Sequence, residues 1–513
     1  MPANTIPAYA WWNLMYYSIS ITPNYTAKYL RGTNTITFKA LQTGSVVQVD
    51  LQQPMHITAV TCKNKSIQFV SDGNGVYTIT LPTVIAKNDV ESITINFEGK
   101  PTEAVNPPWD NGWIWAKDKK GRPWASIACE GSGASIWLPC KAALYDEPDS
   151  GIDFTITVPD TLVAVANGRL QQKQVNSNGT TSYTWVVVNP INNYDIIPYI
   201  GKYITWHEDY AGIKGKLDRD YWVIDYNTNK AKQHLHQTDT LLDFFEHWLG
   251  PYPFYADGYK VVEAPMPGME HQSAIAYGNG FENGYSGKNL SGTPWGLKWD
   301  FILMHESGHE WFGNSITASG DGDSWIHEGF TKYLETLYTA WLFGNEAGND
   351  YTQGISKRIK NDAPVVGSGS TDTYNKGAAM LHIIRQITGD SIFKKMIHAL
   401  NTQFYHSTVN TAQILACINE STGHDFSKLF QQYLQTTQVP VLECVYKNGM
   451  LQYRWANCIS GFNMPVKIAV DDLPETLLYP STVWKNIAVK SKPNAIVMDR
   501  NFYAKVNYSG NKL

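Results

Sequence analysis

The sequence contains no apolar stretch approaching 18 residues, so no segment is expected to cross a bilayer as a helix. Charge is scarce as well: charged residues make up 17%, well below the usual quarter. The 41 Lys and Arg against 46 Asp and Glu leave a net charge of −5, with no basic block anywhere. That argues against nucleic acid or an anionic membrane as the main partner. Cysteine is the third scarcity, since six in 513 residues are too few for a disulfide scaffold. The one tempting pair is Cys444 and Cys458, which flank a hairpin whose two-residue turn reads as Asn448-Gly449. In that register Cys444 faces Tyr453 and Cys458 faces Val439, so the sulfurs lie several residues apart and no bridge is expected. Cysteine usage therefore leaves the compartment open. The opening MPANTIPAYAWWNLMYY has neither a basic region nor an apolar core, and is not a signal peptide as written. Low charge, many aromatics and a start resembling a trimmed mature end favour export (periplasmic or extracellular, leader removed) over the cytoplasm.

What is present is aromatic and apolar. Aromatics reach 13% and hydrophobic residues 43%, which rules out intrinsic disorder and supplies a large core. The length is three to four times the commonest domain size, so two to four domains are expected. From about residue 12 to 205, short alternating runs such as YSISITP, NTITFKA, ESITINFEG and TSYTWVVVN are broken by turn residues. Val, Ile, Thr and aromatics at period two predict an antiparallel β-domain, with a sandwich as the plain reading. After Trp206 the period changes. Helices are predicted over 229–249, where Gly250 is the stop, and over 297–313, 328–344, 376–388, 391–402, 411–420 and 426–436. Alternation returns after 441 in VLECVYK, LQYRW and PVKIAV. The expected architecture is multidomain α+β, with an N-terminal antiparallel β-domain (1–205), a mainly α middle domain (206–440) and a small C-terminal β-domain (441–513).

The informative segment is FILMHESGHEWFGNSITASGDGDSWIHEGFTKYLE, residues 301–335. His305 and His309 stand four apart on a predicted helix, so both imidazoles project from one face. Neutral imidazoles at that spacing can take two tetrahedral positions of Zn²⁺, and Glu306 beside the first can reach a water rather than the metal. With 13 histidines in the chain, such an H-E-x-x-H arises by chance in roughly one chain in seventy, so alone it is weak. It does not stand alone. Glu328 follows His309 by nineteen residues, at the start of a second amphipathic helix, and would be a third ligand. Three protein ligands and an open fourth position are the catalytic arrangement, and no cysteine lies near to suggest a structural metal.

HESGHEWFGN followed by Glu in WIHEG resembles the zinc signature of the M1 family of metallo-aminopeptidases, the gluzincins. Three further segments carry the resemblance across nearly the whole chain. PGMEHQSAIAYGN (267–279) is similar to the family's G-x-M-E-N exopeptidase motif, with Pro267 at its first glycine and His271 at its asparagine. CEGSGASIWLPC (129–140) resembles a family segment of the first domain, with Ser135 at the usual arginine and the insertion KAALY before Asp146. TYNKGAAML (373–381) resembles the Y-x-K-G segment. The family's large helical C-terminal domain is not expected in the roughly 73 residues after the catalytic region.

The resemblance implies a thermolysin-like catalytic domain in a short member of the family. It also implies one zinc per chain, held by His305, His309 and Glu328. Zinc lowers the pKa of a bound water to about 7, and Glu306 would be general base and then acid. Tyr374 would donate to the oxyanion, because a phenol stays protonated at neutral pH. Glu270 and Glu130 would grip the substrate's α-ammonium, with Met269 bordering the first side-chain pocket and Gly268 also among the substrate-binding residues. Glu335 lies seven residues after Glu328 on the same helix face; a partner of a ligand histidine and an ordinary surface glutamate are both open. The expected substrates are peptides with free N-termini, hydrolysed at the first bond by a monomer or weak oligomer. A catalytically inactive peptide-binding scaffold, a zinc epoxide hydrolase and an endopeptidase are the rival readings.

Overall fold

The structure, a computed structural model, describes residues 7–143, 146–367, 370–471, 475–489 and 491–509. The first six residues of the opening segment and Leu144 and Tyr145 of the KAALY insertion lie outside them. Along the chain the order is β, then mainly α, then β. By internal contacts the chain forms two compact units. One runs through Asp243 and adds Pro251–Ser286 and Asp300–Glu310; the other comprises Phe244–Gly250, Gly287–Trp299 and everything from Trp311.

The first unit is built on an eight-stranded sheet. Its order is Arg169–Val175, Thr180–Val187, Ile152–Pro159, Trp12–Asn24, Tyr29–Ala40, Val90–Gly99, His56–Cys62 and Lys65–Ser66. Alternation puts Tyr17, Ile19, Ile21, Ile36, Phe38, Ile93 and Ile95 on the buried face. Neighbours in this sheet are antiparallel, with one exception: Trp12–Asn24 pairs in parallel with Ile152–Pro159. A three-stranded sheet (Gly44–Asp50, Val76–Ile85, Phe69–Ser71) and a four-stranded one (Val163–Val165, Tyr199–Gly201, Pro123–Ala128, Gly112–Lys117) complete the β-rich part.

The sheet structure does not stop near residue 206. Tyr203–Gly212, Gly215–Ile224, Tyr259–Glu263, Ile275–Tyr277 and Gly268–Met269 form a further five-stranded mixed sheet in that order. Its middle strand, Tyr259–Glu263, is buried at every position and so shows no alternation, as parallel interior strands do. The short strand Gly268–Met269 is the edge, paired antiparallel through Gly268 with Tyr277 and Met269 with Ala276.

The helix predicted over 229–249 is two helices, α1 (Thr228–His234) and α2 (Gln237–Leu249). The break is local. The Thr238 hydroxyl donates to the Leu235 carbonyl at 2.8 Å, and Gly250 at φ 94° ends α2 as expected. The helix predicted over 297–313 is only α3 (Phe301–Gly308), because Asp300 caps it by accepting from the Leu303 N–H at 2.9 Å.

The second unit is mainly helical: α4 (Trp325–Phe343), α5 (Asn345–Ser356), α6 (Asp372–Thr388), α7 (Asp390–Gln403), α8 (Thr411–Thr422) and α9 (Ser427–Gln435). Helix α5 has no counterpart in the sequence expectation. Its NEAGNDYTQGIS is polar and carries two glycines that read as breakers. Both instead permit close contact, since a Cβ on Gly348 would stand 2.8 Å from Ala340 Cβ and one on Gly354 2.3 Å from the Ser291 oxygen. Strands return after Val441. Val441–Lys447 and Met450–Ala456 pair in the expected register, Cys444 opposite Tyr453, around Asn448 (φ 53°) and Gly449 (φ 77°). The six cysteines are free thiols.

Candidate active site

In the first unit, Asp300 does more than cap α3. Its carboxylate also meets His234 Nε2 at 2.7 Å and accepts from the Tyr277 hydroxyl at 2.6 Å and Asn279 Nδ2 at 2.9 Å. The start of α3 is thereby fixed to the five-stranded sheet, and one turn later Phe301 stacks on the His305 ring, 5.2 Å between centroids. His309 is the residue that closes the helix and keeps helical dihedrals (φ −65°, ψ −18°). Its ring therefore stays on the face of His305, 4.9 Å away and nearly perpendicular. Both imidazoles are buried.

Glu306 is buried between them in sequence and next to the edge strand in space. A Cβ at Gly268 would stand 2.7 Å from Glu306 Oε1 and 2.7 Å from Ile302 Cγ2, so only glycine leaves this carboxylate its place. The Pro267 carbonyl accepts from the Gly278 N–H at 2.8 Å. Glu270, Glu306 and His309 are all buried and present ligand-type atoms within 4.8 Å of one another. Met269, by contrast, belongs to the hydrophobic core of the unit.

The loop carrying Glu270 is pinned residue by residue. Glu270 accepts from the Tyr194 hydroxyl at 3.1 Å, and burial with Glu270 beside it holds that phenol well above its ordinary pKa, hence protonated. His271 Nδ1 lies 2.5 Å from the Tyr199 hydroxyl, which itself donates to the Ala274 carbonyl at 2.7 Å. Burial drives the His271 pKa down to about 3, so the ring is neutral at ordinary pH. The Gln272 carbonyl accepts from Asn167 Nδ2 at 2.7 Å, and the Ser273 N–H donates to Glu310 Oε1 at 2.8 Å. Burial raises the Glu310 pKa to about 8 even with that bond in place. Glu130 itself is exposed, and its neighbour Cys129 donates through Sγ to the Tyr194 carbonyl at 3.3 Å. Ser135, where the family has arginine, accepts from Gln52 Nε2 at 2.8 Å. In the KAALY insertion, buried Lys141 pairs with Asp146.

In the second unit Glu328 lies in the first turn of α4 and is buried. Tyr374, 36% exposed on α6, donates its hydroxyl to Glu328 Oε1 at 2.7 Å. The two helices come this close because glycine faces glycine: a Cβ on Gly377 would stand 2.9 Å from the Gly329 Cα. Glu335 is not a surface glutamate. It is fully buried, accepts from the Tyr351 hydroxyl at 2.5 Å and pairs with Lys332 at 2.8 Å.

Tyr194, Tyr199 and Glu310 were not expected from the sequence. The tyrosines sit in NNYDIIPYI, where no spacing marks them, and only the position of Glu310 directly after His309 offered a signal.

Two family models match the chain: the peptidase M1 N-terminal domain over residues 14–194 and the peptidase family M1 domain over 234–433. Aminopeptidase M1 of Arabidopsis thaliana is 23% identical over 361 residues, 65% of this chain and 39% of its own length. Endoplasmic reticulum aminopeptidase 1 of Homo sapiens is 23% identical over 62% of this chain and 35% of its own. The chain thus spans less than half the length of these curated relatives. A mutant of an M1 zinc metallopeptidase of Deinococcus radiodurans, solved bound to a Tyr-Ser-Ala substrate, superposes with a TM-score of 0.71 at 20% identity, covering 84% of this chain and 95% of that one.

Proposed function

Because the chain belongs to the M1 peptidase family, we propose that it is a zinc-dependent aminopeptidase that hydrolyses the first peptide bond of peptides with free N-termini. The observation that carries this reading is the convergence of Glu270, Glu306 and His309, with ligand-type atoms within 4.8 Å. This clustering supports reading Glu270 as the carboxylate for the amine, Glu306 as the base and His309 as a metal-ligating imidazole.

The family implies zinc, and the donor set suits it: His305, His309 and Glu328 are buried and offer two imidazole nitrogens and one carboxylate oxygen. Zinc held by these three would acidify a water and polarise the peptide carbonyl. Glu306 would serve as the base that takes a proton from the attacking water and as the acid that returns it to the leaving amine. Tyr374, whose hydroxyl donates to Glu328 here, is the neutral donor for the carbonyl oxygen as it becomes negative. Glu270 is kept in place by the Tyr194 hydroxyl, and with Glu130 it binds the α-ammonium. Two carboxylates committed to a free amine count against an endopeptidase, and the full set of ligands, base and phenol counts against an inactive scaffold.

The test joins a metal measurement to a substrate series. Elemental analysis of pure protein should find about one zinc per chain, a chelator should abolish turnover of an aminoacyl chromophore, and added zinc should restore it. Full activity in metal-free protein, or equal cleavage of acetylated and free peptides, would overturn the reading.

A further inference from the structure

In the first unit, the loop at residues 103–112 holds a tryptophan out in water. Trp109 is 68% exposed and Val105 89%, although aromatic residues elsewhere in this unit form much of its core. The loop is stiff. The Asp110 carboxylate accepts from the Val105 N–H at 2.6 Å and the Asn106 N–H at 2.8 Å. The Asn106 carbonyl in turn accepts from the Trp109 N–H at 3.0 Å, and Pro107 and Pro108 fix two φ angles between them. The base is closed by the Trp113 N–H on the Thr102 carbonyl at 2.7 Å and the Ala104 N–H on the Trp113 carbonyl at 3.1 Å.

The loop is also tied to the segment that carries Glu130. Asn111 Oδ1 accepts from the Gly131 N–H at 3.1 Å and the Ser132 N–H at 3.3 Å. Gly131 leaves room for that bond, since a Cβ there would stand 3.2 Å from Asn111 Nδ2. A rigid loop therefore fixes an exposed indole two residues from an amide bonded to the neighbours of Glu130. Exposed aromatics held rigidly in this way are what recognition of apolar groups uses, because little ordering entropy is left to lose on binding.

We propose that Trp109 is a specificity-determining residue: it receives a bulky apolar side chain of the substrate's N-terminal residue, whose ammonium Glu130 holds. This rests on the aminopeptidase reading and adds to it the class of N-terminal residue preferred, namely Leu, Phe or Trp over Gly or Ala. The test is a kcat/KM series on wild type, Trp109→Ala and Trp109→Phe with aminoacyl chromophores, and with dipeptides varied at the second position. Trp109→Ala should lower the Phe-to-Ala and Leu-to-Ala preference at the first position about 10-fold, the scale on which apolar contacts discriminate. Trp109→Phe should recover most of it, and the melting temperature should show that both variants are folded. A loss equal for all side chains, no change in preference, or a change that follows the second position overturns the proposal while wild-type turnover leaves the aminopeptidase reading standing. A wild type that turns over no aminoacyl substrate removes the reading itself.

Discussion

The loop Pro267–Ala274 and the crossing of α4 with α6 solve one problem in opposite ways. In the loop, Glu270 is placed by partners scattered over the chain: Tyr194 on its carboxylate, Tyr199 on His271, Asn167 on Gln272 and Glu310 on Ser273. At the crossing, Glu328 and Tyr374 are placed by helical periodicity and by two glycines that let the backbones touch. A helix fixes a side chain through its neighbours three and four residues away, whereas a loop needs buried hydrogen bonds from remote segments. Loss of one anchor should therefore loosen the loop locally, while a fault at the crossing should be felt along both helices.

The largest expected effect sharpens the contrast between chemistry and support. Glu306→Gln should keep its zinc by elemental analysis yet lose at least ~10³-fold in kcat, since both proton transfers depend on this carboxylate. On the helical side, Tyr374→Phe should lose ~10²–10³-fold in kcat with KM little changed. A rise in KM alone would make Tyr374 a ground-state contact, and the helical region would then serve binding rather than chemistry.

Amine recognition probes the loop directly. Acetylating the substrate's N-terminus should cost at least about 10²-fold in kcat/KM, because charge-assisted hydrogen bonds are lost. Asn167→Ala should shrink that gap by about 10-fold by freeing Gln272 beside the anchor. Gly377→Ala, in contrast, should lower the melting temperature through overpacking, by about 1–3 kcal/mol of stability, and act on free and blocked substrates alike. Should Asn167→Ala behave like Gly377→Ala, the distinction between loop and crossing collapses.

The smallest effect compares one buried imidazole from each region. Burial lowers the pKa of His271, on the loop, to about 3 and that of His382, on α6, to about 4, against an ordinary value near 6.5. Below pH 6.5 the unfolded chain binds protons that the folded chain refuses. The contribution of these two imidazoles to stability is thus full above 6.5 and declines as pH falls toward 4. Glu310, raised to about 8, acts in the opposite sense, so the histidine share is read from the difference between wild type and variant. Over that window His382→Gln should lose less melting temperature than wild type on acidification, a difference of a few degrees.

How much of this could be read from the sequence follows the same divide. His305, Glu306, His309 and Glu328 sit on helices at legible spacings, and the Asn448-Gly449 turn fixed its hairpin register in advance. In the five-stranded sheet, Tyr259–Glu263 was missed because it is buried on both faces and loses the alternating pattern. Helix α5 was missed because its glycines serve contact rather than termination. The anchors of Glu270 left no trace, since hydrogen bonds between remote buried groups have no period. That Glu335 is internal was equally hidden: its partner Tyr351 lies on the next helix.

The parallel pairing of Trp12–Asn24 with Ile152–Pro159 has a consequence for how the chain is made. Ser18 meets Asp153 across 135 positions, so a central strand of the largest sheet leaves the ribosome long before one of its two neighbours exists. At ordinary rates of synthesis that interval is on the order of ten seconds. Throughout it, the early hairpin with Tyr29–Ala40 displays an unsatisfied edge of Tyr, Ile and Leu, a template for pairing with another nascent chain. Production of this protein should therefore depend on chaperone capacity during translation more than on the stability of the finished fold.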